Sequence, residues 1–157
     1  MSLISLLCLM LLPSAAIAIP DRPQEGVGVG PDPVLSVAGL YPTKVSLVPG
    51  LNTCGDVTVR DGMTTVAHEP GTHTLALTHA GNTYQGTVDD HGAFATAPRV
   101  LSNGASEFTL SITGQFQEKG LTAKVRVDVK QPGPPHTCSY TVSWLATKQG
   151  PSNTIPK

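Results

Sequence analysis

FTLSITGQF (108–116) and LTAKVRVDVK (121–130) decide the fold of this chain. In the first stretch Phe108, Leu110, Ile112, Gly114 and Phe116 share one parity, while Thr109, Ser111, Thr113 and Gln115 take the other. In the second, Leu121, Ala123, Val125, Val127 and Val129 alternate with Thr122, Lys124, Arg126, Asp128 and Lys130. A period of two sends alternate side chains to opposite faces of an extended strand, here one apolar face and one polar. The connection at 117–120 is short enough for a hairpin, so the two segments are antiparallel neighbours with one face on a core and the other in water.

The same alternation extends outward from this pair. Cys138, Tyr140, Val142, Trp144 and Ala146 oppose Ser139, Thr141 and Ser143; His73, Leu75, Leu77 and His79 share a face, as do Tyr84, Gly86 and Val88. Ala-Gly-Asn at 80–82 and Asp-Asp-His-Gly at 89–92 supply turns. Further strands are expected at 45–48, 57–59 and 64–68. Seven to nine antiparallel strands joined by short turns make an all-β meander, favouring an up-and-down barrel over a two-sheet sandwich. The CSYTVSW segment at 138–144 has residue types in common with immunoglobulin domains. There, however, the Trp follows the first Cys and the Tyr precedes the second, so no family is assigned on it.

Residues 1–18 read as a signal peptide, with an apolar run at 3–12 and a small-x-small site at Ala16-Ile17-Ala18. The apolar run is shorter than the roughly 20 residues that span a bilayer, and the expected location is secreted or periplasmic. Residues 19–42 read as a flexible lead-in rich in Pro and Gly, 43–148 as the β domain and 149–157 as a polar tail. The GVGVG run at 26–30 lacks the preceding strand and following helix of a phosphate-binding loop. Ten Lys and Arg against eleven Asp and Glu leave no basic face for a nucleic acid and no polybasic reason to sit on a membrane once the signal is cleaved.

Loss of the signal removes Cys8 and leaves Cys54 and Cys138, which in an oxidising compartment are expected to pair. Counting turns back from Cys138 brings Cys54 to the same end of the sheet if Asp61-Gly62 is a bend within one long strand over 56–68. Reactive or metal-bound thiolates would want a CxxC or a His beside each Cys.

The histidines are the other candidates for chemistry. His68 and His73 flank the turn at 69–72, and His91, beside Asp89 and Asp90, falls at the same end. A divalent-metal site at His68, His73 and His91 is therefore an expectation, set against plain solvated turn residues. His68, Glu69 and His73 do not form a zinc-protease motif, because the second His is one place late and Pro70-Gly71 break the helix. There is no Gly-x-Ser-x-Gly elbow, and adjacent Asp89 and Asp90 are poorly placed for paired-carboxylate chemistry. No catalytic residue and no cofactor is assigned, and binding is the expected class.

Two binding modes follow. Inward Tyr84, Phe94, Phe108, Phe116, Tyr140 and Trp144 either line a cup for a small apolar ligand or fill the core. Outward Thr74, Thr78, Thr83, Thr87, Thr109, Thr113 and Thr141 form a hydroxyl-rich surface for a protein partner, although Thr is also an ordinary solvent-facing strand residue.

Overall fold

The computed structural model describes residues 32–134 and 136–157. The signal segment 1–18, with Cys8, and most of the lead-in lie outside the described residues. Nine strands follow in order: β1 Gly39–Asn52, β2 Gly62–His68, β3 Thr74–His79, β4 Asn82–Val88, β5 Ala93–Thr96, β6 Arg99–Asn103, β7 Ser106–Gln117, β8 Gly120–Lys130 and β9 Thr137–Thr147. Each pairs antiparallel with its sheet neighbours, β9 returns to lie beside β1, and β5 pairs with β7. The result is a closed eight-stranded barrel, with β6 added beside β7, and not a sandwich.

The two deciding segments form the expected hairpin, paired from Glu107–Lys130 to Gln117–Gly120. The β3–β4 turn is equally local. Ala80 and Gly81 both take positive φ, 47° and 77°, which suits a two-residue turn whose twist matches the flanking strands. Inward side chains from all the barrel strands meet in one core, with Tyr41, Leu77, Ile112 and Phe116 fully buried.

Closing so few strands into a tube demands sharp coiling, and glycine supplies it where side chains would obstruct. A Cβ on Gly114 would stand 2.3 Å from the Thr122 carbonyl oxygen and 2.6 Å from the Phe94 ring, and one on Gly86 would stand 2.3 Å from the Ala95 carbonyl oxygen. These two glycines flank β5 on either side, at Gly86–Thr96 and Phe94–Gly114. They serve the bend and leave no room for a ligand, since the Phe94 ring lies against Gly114.

One end of the barrel is plugged. Leu35, Val37 and Ile155 pack over it, Ser36 bridges Thr154, and the Tyr41 hydroxyl lies 2.6 Å from the Val37 carbonyl oxygen and 2.7 Å from Asn153 Oδ1, its one proton serving the two acceptors. Buried Asn153 also donates to the carbonyls of Gln117 and Gly120. Burial pushes the Tyr41 phenol up to about 12, its bond to Asn153 opposing. The β structure therefore starts at Gly39, inside the stretch read as lead-in. Residues 149–157 are not a free tail, because Asn153 and Ile155 are needed to seal the apolar end.

At the other end Cys54 and Cys138 form a disulfide with Cα atoms 5.1 Å apart. The expected strand through 56–68 does not form. The chain leaves β1 at Asn52, loops through 53–61 and enters β2 at Gly62. Asn52 shapes that loop by accepting from the Cys54 amide and donating to the Gly55 carbonyl. Half-buried Val59 packs on the core from the loop, which is why the Val57, Val59 alternation resembled a strand.

Two outcomes follow for stability. Gly114→Ala should lower it by roughly 1–3 kcal/mol through overpacking at the bend, read as a shift in urea midpoint. Replacing both Cys54 and Cys138 by Ala should cost about 4–5 kcal/mol on the chain-entropy model for an 84-residue separation, measured by the same denaturation.

Candidate functional site at the barrel seam

The wall of the barrel is not continuous. β4 pairs with β5 only over Gly86–Val88, and β6 pairs only with β7, so the first half of β4 faces no strand on that side. The cause is a bulge. Ala95 lies opposite Thr113 and Arg99 opposite Leu110, so one residue more is used here than on the facing stretch of β7. Pro98 has no N–H to continue the ladder. Thr96 repairs the local loss, its hydroxyl accepting from the Ile112 amide at 3.1 Å.

The gap is a cleft of about 340 Å³ between Thr83, Tyr84 and Gln85 on one side and Pro98, Arg99 and Val100 on the other. Arg99 is set on the inner face by its register with Leu110, two residues from buried Ile112. Its guanidinium carbon stands 5.8 Å from the centre of the Tyr84 ring, and Nη1 donates to the Thr83 carbonyl across the seam. The ion pairs among the described residues join His73 to Asp90, Arg126 to Asp128 and Lys130 to Glu107. Arg99 has no carboxylate partner among them.

Tyr84 is 5 % exposed. Burial raises its phenol pKa, Arg99 opposes the rise and nearby Tyr140 adds to it; burial likewise raises Tyr140. Neither hydroxyl bonds to protein, yet no buried side-chain oxygen or nitrogen among the described residues lacks a partner. Both hydroxyls therefore reach solvent, and being protonated at neutral pH they are available as donors.

Deeper in the open half, His79 stacks on Trp144 with ring centres 4.4 Å apart. Its Nδ1 lies 2.9 Å from the Thr64 hydroxyl, which lies 2.7 Å from that of Thr43. Gly62 leaves space for the imidazole, since a Cβ there would stand 3.1 Å from it. Burial lowers the His79 pKa below the ordinary 6.5.

The six inward aromatic residues are thus divided. Phe94 and Phe116 lie 4.8 Å apart, with Tyr41 6.0 Å from Phe116, and fill the plugged half. Trp144 is buried against His79, and half-buried Phe108 sits opposite Leu101 on the β6–β7 wall. Of the six, Tyr84 alone lies against an unpaired charge, that of Arg99. Sequence reasoning missed Arg99 and His79. Arg99 acquires its inward direction from the bulge, and His79 shares the parity of Leu75 and Leu77, a signal that was present.

The turn histidines do not assemble. His68 Nε2 lies 2.9 Å from the Thr72 carbonyl oxygen and His73 Nδ1 3.0 Å from that of Val88, while His91 stands exposed in its turn. Among the described residues no three His, Cys, Asp or Glu side chains are grouped to hold a metal ion. The three-histidine centre expected from the sequence is not assembled among the described residues: His68 is turned to backbone through both ring nitrogens and His73 through Nδ1.

Comparison with known proteins returns no match: no family model, no curated protein and no solved structure matches the chain.

The His79 environment has a pH consequence. With its folded pKa below that of the unfolded chain, the unfolded state takes up the proton first, so stability is lost as pH falls below about 6.5 toward the folded value. His79→Gln should flatten that part of the profile relative to the parent, as read from urea midpoints between pH 7.5 and 5.

Proposed function

We propose that the chain is a non-catalytic binding module, working outside the cytoplasm, that takes a small molecule at the seam and the adjoining open half of the barrel. The observation that carries this reading is the interrupted wall between β4 and β6, where Arg99 has no carboxylate partner among the described residues and stands over the Tyr84 ring. These groups are open to solvent, since no buried side-chain nitrogen or oxygen among the described residues lacks a partner, and a cleft with a few convergent donors on apolar walls is the usual form of a small-molecule site. Its volume of about 340 Å³ lies near the lower end of the roughly 300–1,000 Å³ typical of ligand pockets, which favours a compact ligand. The aromatic packing of the plugged half argues against a deep apolar cup there.

A protein partner on the outer threonine face is the weaker reading. Two of those hydroxyls are already engaged with each other, Thr78 and Thr83 at 2.9 Å, as are the serines Ser46 and Ser143 at 2.8 Å. The Cys54–Cys138 bond is consistent with an oxidising compartment, and supports a secreted or periplasmic location.

Amide shift mapping with a mixture of small aromatic and aliphatic fragments tests the reading. Shifts should cluster at 82–85, 97–101 and 138–142. Shifts confined to the outer face of β7–β9, or absent altogether, would overturn it.

A further inference from the structure

We propose that the seam selects a compact apolar molecule bearing one carboxylate, held by Arg99 and the backbone of β4; this rests on the binding reading above and specifies its ligand. The argument starts from the edge of β4. The Val88 amide bonds to the His73 carbonyl on the β3 side, so by strand alternation residues 87, 85 and 83 direct their amide and carbonyl groups the other way, toward β5 and the seam. The Gln85 carbonyl takes the Ala97 amide, and the Thr83 carbonyl takes the Arg99 guanidinium. The Thr83 amide N–H is left facing the cleft with no strand opposite.

The open polar groups of the cleft thus include two donors side by side, the Arg99 guanidinium and the Thr83 amide. A guanidinium offers five N–H groups. Here one bonds to Thr83 and the plane lies near the Tyr84 ring, with no carboxylate from the described residues within ion-pair distance. A half-buried charge without a counterion is unfavourable, and a planar carboxylate matches the guanidinium fork with two parallel, charge-assisted bonds. One guanidinium balances one negative charge, which favours a monoanion. Pro98 and Val100, the latter 54 % exposed, provide an apolar wall for the remainder of the molecule.

The test is fluorescence titration of the full chain with dansylglycine and with its neutral counterpart dansylglycinamide, the bound position being read by amide shifts. Dansylglycine should bind at least tenfold more tightly and shift the Thr83 and Arg99 amides. Arg99→Gln should reduce its affinity to that of the amide probe while changing the amide probe by less than twofold. Equal affinity of the two probes for the parent protein, with shifts at the seam, would overturn the carboxylate assignment and leave the seam as a binding site. No shift at the seam from either probe would overturn both readings. Should Arg99→Gln fail to fold, the comparison of acid with amide on the parent protein still decides the matter.

Discussion

The barrel depends on the closure between β5 and β7. A sheet of antiparallel strands presents two unpaired edges until it closes on itself, and here the closing strand is only four residues long. Gly86 and Gly114 let the backbones on either side approach closely enough for those four residues to pair twice, with β4 and with β7. The bulge that follows is the cost of so short a closure. The chain must leave the barrel wall at Ala97-Pro98 and run on as β6 along β7 alone, and the seam with its inward Arg99 is a direct result. Fold and candidate site therefore share one origin.

The two ends of the barrel are held by different physics. At the plugged end, hydrogen bonds centred on buried Asn153 and Tyr41 tie residues from both extremities of the described chain to the strand ends, and apolar Leu35, Val37 and Ile155 exclude water. At the open end a covalent link fixes the 53–61 loop to the start of β9. The first arrangement buries its polar groups and satisfies them. The second tolerates half-exposed Phe108, Tyr140 and Leu47 around a rim. Recognition at the second end is compatible with rigidity at the first.

Much of the architecture was legible because the alternation in the strands at 73–79, 84–88, 108–116, 121–130 and 138–146 is uninterrupted, and the Cys54–Cys138 pairing followed from the two cysteines left after the signal; counting strand ends agreed with it only through a strand over 56–68 that does not form. What escaped has a common physical character. Val57 and Val59 alternate like a strand, but they belong to the 53–61 loop, from which Val59 packs on the core, a distinction made by tertiary packing. Leu35, Val37 and Asn153 sit in Pro- and Gly-rich surroundings and are buried only because two distant segments meet. β6 could not be separated from β5, since the register shift that divides them is defined against β7. The six aromatic residues were placed on the correct face. Alternation, however, reports a side and not a height along the axis, so it could not divide the packed Phe94 and Phe116 from Tyr84 at the seam and Tyr140 at the rim.

The stacking of His79 on Trp144 gives the molecule an optical property. Trp144 is the only tryptophan in the chain, and an imidazolium in contact with an indole quenches its emission far more strongly than a neutral imidazole does. The tryptophan emission of the folded protein should thus follow the protonation of His79 in the open half of the barrel, with no label required. Because His79 is also linked through Thr64 to Thr43, that signal reports the state of a hydroxyl chain spanning three adjacent strands, β3, β2 and β1.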